Sequence, residues 1–337
     1  ETPPTTIAPQ QITFEGEIKK HPLIPDIVTG LTYENISFKG SYASQGGDST
    51  LNLTATIPRL QYKENTVSDA KLLVSSANDI IAADLNFNKL QIGTNTLFAT
   101  SIHANAAKDS IGVDAATKDS KGKDRFAIGA VATSKNEVYT FSMKKNLLLN
   151  YQKWEVAGNN KITYGANGVL AENFVLRNGV QQISAISKTN TLNSPVDVSI
   201  DSFDIKDITS LFNSDTLFAA GIVNGKFTIS GFDKKIPAFT GNMQLSQFFI
   251  MQQPVGTIKL FAEKQNDNTI NATVDLSENG NAMNIKGNYY LNNETQQFDA
   301  AIDIKRLNMA TVQAFSRGNL ERASGSITGN VNINGKF

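Results

Sequence analysis

Apolar and polar residues alternate along most of the chain, from about residue 30 onward. The alternation runs in short stretches, for example Leu51-Leu53-Ala55-Ile57, and clusters of Asn, Gly, Asp and Lys separate one stretch from the next. Because successive side chains of a strand point to opposite faces, each stretch places its apolar residues on one face. This pattern predicts an all-β, antiparallel fold of more than about 20 strands with one solvated face and very little helix.

Two short segments depart from the alternation. Residues 205–212 and 309–315 place apolar residues three positions apart, which is typical of about two helical turns. The pattern therefore predicts a short helical turn near each of these segments.

A glycine motif follows each predicted helix. Gly-x3-Gly-x-Phe-x-Ile-x-Gly at residues 221–231 recurs at residues 325–335, with Val in place of Phe, and the preceding helical positions match at the same offset of 104 residues. A weaker third copy occupies residues 30–40. The gapless register indicates a genuine internal repeat, and repetition at this scale predicts an elongated array in which each unit stacks on the next.

The repeat and the proline content together predict the domain organisation. Five of the nine prolines fall in the first 25 residues, so we predict a Pro-rich linker or irregular start over residues 1–25. A first β-array region follows over residues 26–202, then one complete repeat unit over 203–306 and the start of a further unit over 307–337. The last motif stops close to Phe337, so we expect the chain to be a fragment of a longer array.

Composition excludes several classes of function. The 31 basic residues balance the 31 acidic ones, so no net field favours nucleic acid as a partner. The chain has no cysteine and only His21 and His103, and neither histidine lies in a metal or triad motif. No stretch has the length of a transmembrane helix or the form of a signal peptide. We therefore predict a protein that is not an enzyme and that uses no cofactor and no metal.

Four stretches carry a resemblance to a known family. Residues 147–156 precede residues 174–183 as paired strands, and residues 237–245 are followed by residues 255–258 in a similar style. The two glycine motifs with their preceding helices are the third and fourth stretches. With these features the chain resembles the TamB family of translocation and assembly module subunits, within the AsmA-like group of bridge-type lipid transfer proteins, over residues 12–337.

The resemblance implies a half-pipe of β-sheet (a β-taco) with an apolar concave face. It implies a periplasmic conduit in the cell envelope of a Gram-negative bacterium, which carries phospholipids between the inner and outer membranes or serves outer-membrane biogenesis. The partners that it implies are phospholipid acyl chains, together with an inner-membrane anchor and an outer-membrane β-barrel that contact the protein through regions outside this chain.

The apolar positions of the alternating stretches are the candidates for the wall of a lipid groove. They are rich in Ala, Val, Ile and Leu and poor in large aromatics, which favours a wide groove over a closed sandwich. The lipid-groove candidates are Leu51, Leu53, Ile57, Ile81, Leu85, Phe87, Phe126, Ile128, Phe227, Ile229, Ile258, Leu260, Ile270, Val274, Leu276, Met283, Ile285, Phe298, Ile302 and Ile304.

Two other functions remain open at the level of sequence. One is an extracellular β-repeat adhesin or scaffold, which requires a fully packed interior. The other is a polysaccharide-active β-helix enzyme, which requires acids clustered on one sheet face, whereas the acids here are dispersed. Asp201, Asp204 and Asp207 stand three apart, but we expect them to favour the start of the short helix electrostatically. We expect Trp154 to be a packed or edge aromatic residue, in preference to a ligand contact.

Overall fold

The fold is all-β in the computed structural model, which describes residues 9–45, 48–77, 79–93, 95–211, 218–266, 268–291, 297–316 and 319–336. Strands account for 71% of the chain and helices for 5%. The strands form two antiparallel sheets, one of 14 strands and one of 11, and neither closes into a barrel. The all-β class, the antiparallel pairing and the small helical content are therefore confirmed.

The described residues contain 25 strands and three short helices. The first half of the chain contains β1 (Gln10–Ile18), α1 (Leu23–Ile27), β2 (Leu31–Tyr33), β3 (Ile36–Gln45), β4 (Asp48–Tyr62), β5 (Asn65–Ala77), β6 (Ile80–Ile92), β7 (Asn95–Ala107), β8 (Ser110–Lys118), β9 (Asp124–Lys135), β10 (Val138–Met143), β11 (Leu148–Leu149), β12 (Gln152–Lys153), β13 (Glu155–Val156), β14 (Lys161–Gly165) and β15 (Gly168–Glu172). The second half contains β16 (Phe174–Asn178), β17 (Gln181–Ser187), β18 (Val196–Asp204), α2 (Lys206–Thr209), β19 (Ala219–Ser230), β20 (Ala238–Ile250), β21 (Gln253–Asn266), β22 (Thr269–Glu278), β23 (Asn281–Tyr290), β24 (Gln297–Asn308), α3 (Met309–Phe315) and β25 (Ser326–Lys336).

The chain divides into two compact units. The first comprises residues 1–135 and 146–151, and the second comprises residues 136–145 and 152–337. In the first unit, strands β3 to β9 are antiparallel neighbours in chain order, while β1 pairs with β3 and β2 pairs with β4. Two-residue turns such as Lys63-Glu64 and Lys108-Asp109 join these strands, and their first residues adopt left-handed φ angles of 54° and 49°. Such turns match the twist of antiparallel strands.

Strand β1 lies inside the segment that we predicted to be an irregular start. Its residues Ile12, Phe14, Gly16 and Ile18 alternate with polar ones, but the prolines on either side obscure this short pattern. Pairing with β3 stabilises the strand, because Gly16 lies opposite Phe38. A Cβ atom on Gly16 would overlap the Phe38 ring, so the aromatic ring occupies the space that the glycine leaves.

The loop between β8 and β9 holds the distant segment 146–151 in the first unit. One oxygen of the Asp119 carboxylate accepts hydrogen bonds from the backbone N–H groups of Lys121 and Lys123, both at 2.9 Å. The other oxygen accepts a bond from the Tyr151 hydroxyl at 2.8 Å. The N–H of Lys123 and the Tyr151 hydroxyl are the main causes that hold the pKa of Asp119 below its usual range.

We expect this loop to loosen in acid. Since the pKa of Asp119 is lower in the folded chain, its contribution to stability is present above pH 4 or so and is lost as the pH falls through the folded pKa. An NMR titration of the Asp119 carboxyl, with amide exchange of residues 119–123, measures the effect. Relative to the intrinsic exchange rate at each pH, protection of these amides should fall in acid, and Asp119→Asn should abolish that fall. Asp109→Asn, which makes the same change of charge in the turn at the other end of β8, should preserve it.

The second unit contains a long meander. Strands β16 to β25 are antiparallel neighbours in chain order, with β13 on the outer edge of β16. Strands β10, β14 and β15 form a further antiparallel set in the same unit. No strand of the meander is skipped, so each one packs beside the strand that precedes it and the strand that follows it.

The 104-residue repeat is present in the backbone of this meander. The N–H of Ile205 donates to the carbonyl of Gly221 at 3.0 Å, and 104 residues later the N–H of Met309 donates to the carbonyl of Gly325 at the same distance. Pairing of β18 with β19 has an irregularity after Ile200, and pairing of β24 with β25 has the same irregularity after Ile304. Both predicted helices are found, as α2 and α3, although residue 212 lies outside the described residues. The chain is therefore repeat-like in structure.

In each of these two copies, one side-chain amide holds the start of the helix. In the first, Gln181 accepts from the N–H of Asp204 at 2.8 Å and donates to Asp207 at 3.1 Å. In the second, Asn281 accepts from the N–H of Asn308 at 2.8 Å and donates to Thr311 at 2.9 Å. The positions 204 and 308, like 207 and 311, differ by 104. The two amides themselves do not obey this offset, so the sequence pattern did not indicate them.

The third, weaker copy is built differently. Helix α1 lies between the paired strands β1 and β3, as α2 lies between β18 and β19. However, the carbonyl of Gly30 accepts its hydrogen bond from Lys63 at the start of a later turn. The three copies therefore share the strand–helix–strand order. In the described part of the chain, the hydrogen bond from the helix to the glycine is found only in the copies at residues 221–231 and 325–335.

Asn281→Ala should destabilise the second unit by about 2–4 kcal/mol, because the buried Asn281 amide also donates to the Val255 carbonyl at 2.7 Å and its loss leaves several buried polar groups unpaired. Urea unfolding followed by the fluorescence of Trp154, the only tryptophan, reports on this unit. The exposed Asn332→Ala on β25 is the matched control and should change the midpoint little. If the two variants lose equal amounts of unfolding free energy, the Asn281 amide does not hold the helix.

Candidate functional site

The most extensive feature of the second unit is a row of apolar residues that crosses its sheet. We call it the central row. Each member lies directly opposite the next in the strand-to-strand register. All members share one side of the sheet, because directly opposed residues of antiparallel strands point the same way. The central row is Leu176, Ile183, Ile200, Gly225, Met243, Leu260, Val274, Ile285, Ile302 and Val331.

Twelve lipid-groove candidates lie on this side of the sheet. Leu260, Val274, Ile285 and Ile302 belong to the central row itself. The other eight lie two or four residues from it along their strands, and therefore on the same side. These eight are Phe227, Ile229, Ile258, Ile270, Leu276, Met283, Phe298 and Ile304.

The eight candidates of the first unit also share one side of their strands. Leu85 connects through Ile102 and Ala115 to Ile128, and Leu51 connects through Ser76 to Ile81. The remaining candidates lie an even number of residues from these along the same strands, namely Leu53, Ile57, Phe87 and Phe126. The alternation that selected these residues therefore brings them onto one side within each unit.

Most of the candidates are only half-buried. Phe87, Phe126 and Leu276 are buried, whereas Ile81 and Ile128 are 53% and 48% exposed. The other fifteen have intermediate exposure. In a closed sandwich, a second layer of side chains covers such rows completely. Here, within the described residues, the rows retain access to solvent over most of their length.

The opposite side of the second sheet is polar and internally bonded. The Asn271 amide donates to Asn288 at 2.7 Å, and the Asn288 amide donates to Asp299 at 2.9 Å. The same carboxylate accepts the Tyr290 hydroxyl at 2.5 Å, a bond that is the first cause of the raised pKa of Tyr290. Depressions of about 500 and 550 Å³ lie mainly among the polar residues of this side.

One end of the apolar rows is closed by a compact core. Helix α3 packs there, and its Phe315 ring lies 6.3 Å from that of Phe248. Val255 and Ala314 are buried in the same cluster. A second aromatic contact involves Phe203 of β18. Trp154 is 1% exposed, and its ring lies 5.8 Å from that of Phe203. Trp154 is thus the packed aromatic residue that we expected.

The acids near α2 serve local structure. Asp204 accepts from the N–H of Lys206 at 3.1 Å, and this carboxylate is also the first cause of the raised pKa of Lys206. Asp207 is buried and bonds Gln181, while Asp201 accepts from Ser199 at 3.0 Å. The three carboxylates therefore have different partners. Within the described residues, no group of three or more His, Asp or Glu side chains is arranged to hold a metal ion.

The alternation of apolar and polar residues did not predict the cross-strand pairing of phenylalanine with glycine. Gly241 lies opposite Phe227, and a Cβ atom there would lie 2.7 Å from Cγ of the Phe227 ring and 2.6 Å from the Lys226 carbonyl oxygen. Gly335 faces Phe298 in the same way. A glycine inside an alternating stretch is the signal that could have indicated such a pair. These rings lie over backbone and keep the apolar surface continuous.

Comparison of the chain with protein families, with curated proteins and with solved structures finds no match. Among the described residues, no helix combines the length and the apolarity required to span a bilayer.

Gly241→Ala should destabilise the second unit by about 2 kcal/mol or more, because the added methyl group overlaps the Phe227 ring and a backbone carbonyl. Gly287→Ala is the matched control in the same cross-strand row, where the nearest atom to a new Cβ is the Asp299 carbonyl oxygen at 3.1 Å. Gly287→Ala should lower the free energy of unfolding by a clearly smaller amount than Gly241→Ala. Urea unfolding followed through Trp154 compares the two, and a larger loss for Gly287→Ala would contradict the role of the aromatic pair.

Proposed function

We propose that this chain is part of a conduit that carries phospholipid acyl chains along the apolar side of its sheets. The observation that supports this proposal most directly is the continuity of the central row, which crosses ten consecutive strands of the second unit. At a strand spacing of about 4.8 Å, such a row extends over about 43 Å. A surface of this length and uniformity suits a ligand that has no fixed binding position.

The exposure of the rows supports a ligand-covered surface over a packed interior. Covering half-buried apolar side chains with another apolar molecule lowers the free energy of the system. An acyl chain can do so, since burial of each methylene group contributes about 0.8 kcal/mol. An adhesin with a closed interior has no need of such rows, because its second layer already covers them.

The chemistry of the rows favours movement along the surface. Contacts between methylene groups and Ile, Leu or Val side chains are non-directional, so one position along the row is equivalent to the next. Gly225 and the cross-strand glycines add no polar group to these rows. A lipid could therefore shift from strand to strand without breaking specific hydrogen bonds, and no residue performs catalysis in this mechanism.

The wider setting in this proposal follows from the resemblance to the TamB family. It comprises a half-pipe with an apolar concave face and a periplasmic location in a Gram-negative envelope. It also includes an inner-membrane anchor and an outer-membrane β-barrel that contact the protein outside this chain. The proposed role of the whole protein is to transport phospholipids between the two membranes or to support outer-membrane biogenesis.

Site-specific photo-crosslinking tests the lipid surface. A photoreactive phenylalanine analogue at Leu260 should form covalent adducts with phospholipid, because this position lies in the central row. The matched control is Lys259, the preceding residue of the same strand, whose side chain points to the polar side. Mass spectrometry of the purified protein then identifies the adducts. Lipid adducts at Leu260 and not at Lys259 support the conduit.

The opposite results are equally informative. Equal crosslinking at the two positions indicates non-specific adsorption. An absence of lipid adducts at both, together with no phospholipid carried through purification, overturns the conduit. It would favour the adhesin or scaffold as the function.

A further inference from the structure

We propose that a phospholipid on the apolar side of the second unit lies along the strands, with its acyl chains directed towards the compact core at α3 and its phosphate beside Lys264. This inference rests on the proposed lipid conduit, and it adds the orientation of the lipid and the residue that binds the headgroup. Two observations carry it. The two ends of the strands differ in polarity, and the distance between them matches the length of an acyl chain.

The end of the strands beside α3 is apolar and closed. Val255 and Leu276 are buried in the compact core, and Ile258 packs against it. The buried polar side chains at this end, Asn281 and Thr311, bond to each other. Transfer of a charged headgroup into such a region is costly. The apolar tail is therefore the part of a lipid that fits this end.

The opposite end of the strands carries an ammonium and a phenol group. The residues Lys264, Ile270, Tyr289 and Phe298, which we call the Lys264 row, lie directly opposite one another on the same side as the central row. Lysine and tyrosine combine an apolar body with a polar tip, and such residues are enriched where a membrane protein meets the lipid headgroups. The Lys264 row thus has the polarity of an interface between acyl chains and headgroups.

The side chain of Lys264 holds its ammonium at the margin of the apolar side. Only 8% of the residue is exposed, so its aliphatic stem is packed. Its Nζ donates to the carbonyl of Ile236 at 2.6 Å, and Ile236 lies in the connection from β19 to β20 and is 36% exposed. The charge therefore lies beside a residue that contacts solvent. A lysine ammonium at such a margin is a suitable donor to a phosphate oxygen.

The distance between the two ends matches the length of an acyl chain. Six residues of β21 separate Ile258 at the core from Lys264, which corresponds to about 20 Å at a rise of about 3.3 Å per residue. The acyl chains of one bilayer leaflet fill about 15 Å, half of a hydrocarbon core of about 30 Å. A chain that starts at Lys264 and passes Leu260 therefore ends at the core.

Small residues lie between the central row and the Lys264 row. Ala262, Ala272, Gly287 and Ala300 lie directly opposite one another in the register of β21 to β24. Because these residues are small, they leave room for an acyl chain that joins the two rows. A lipid aligned across the strands would instead place its headgroup against the apolar side chains of the central row, where a charge is unfavourable.

Two photoreactive lipids test this orientation. One is a phosphatidylethanolamine with a diazirine at the end of an acyl chain, and the other carries the diazirine on its headgroup. After irradiation with the whole chain, mass spectrometry of the digested protein locates the adducts. The acyl probe should label residues near Ile258 and Met283. The headgroup probe should label the connection from β19 to β20 and the Lys264 row.

The outcomes separate this inference from the conduit on which it rests. The reverse pattern, or the same pattern for both probes, overturns the orientation and leaves the conduit in place. An absence of adducts with both probes removes the conduit itself, and this inference with it.

Lys264→Met tests the role of the charge, because it keeps an unbranched apolar stem. The affinity for dioctanoyl phosphatidylglycerol should fall about tenfold, whereas the affinity for dioctanoylglycerol, which lacks the phosphate, should change by less than about twofold. The ratio of the two affinities is insensitive to general damage, because the two ligands share their acyl chains. Lys264→Arg should retain the ratio of the wild-type chain.

The matched control is Lys259→Met, which removes a charge from the polar side of the same strand and should leave the ratio unchanged. Equal losses of both lipids in Lys264→Met would assign the residue a purely structural role and overturn the inference. Inorganic phosphate should bind the wild-type chain no more tightly than Lys264→Met, because acyl burial supplies most of the affinity for a lipid. Tighter binding to the wild-type chain would make a free anion the ligand of Lys264 and overturn the assignment to a headgroup.

Discussion

Unbroken antiparallel pairing of each strand with the next is the constraint on which the rest of this structure depends. Because the strands β16 to β25 pair in chain order, each residue of the central row lies beside its counterpart in the next strand of the row. A slip of one residue would move a strand's apolar side chains to the polar side. Pairs such as Phe227 with Gly241 oppose such a slip, because a ring and a bare backbone fit each other in only one register.

Within the second unit, the residues on the apolar side of the sheet are buried to different degrees. At one end of the strands, α3, Phe248 and Val255 form a compact core that requires no ligand. Away from that end, Leu260 and Ile285 remain half-buried. The core supplies local stability and the amide of Asn281 fixes its helix, whereas the remaining rows are left accessible. The compact core and the proposed lipid surface thus occupy different parts of the same side of the sheet.

The proposed lipid surface depends on a general property of repeated β-structure. The apolar rows offer burial through their side chains, and such burial has no preferred direction. A repeat array suits this use, because each added strand lengthens the rows.

The sequence by itself determined the all-β class, the side of the sheet on which each groove candidate lies and the 104-residue equivalence of α2 and α3. Period-two alternation and glycine spacing are local signals, and they need no knowledge of distant contacts. Only the tertiary structure decided that β1 is a strand, since its pairing with Phe38 lies outside the segment itself. It also decided that Gln181 and Asn281 hold the helices, because their partners lie more than 20 residues away. The sequence likewise did not determine that the rows are only half-buried. Whether other residues cover a sheet depends on contacts between distant parts of the chain.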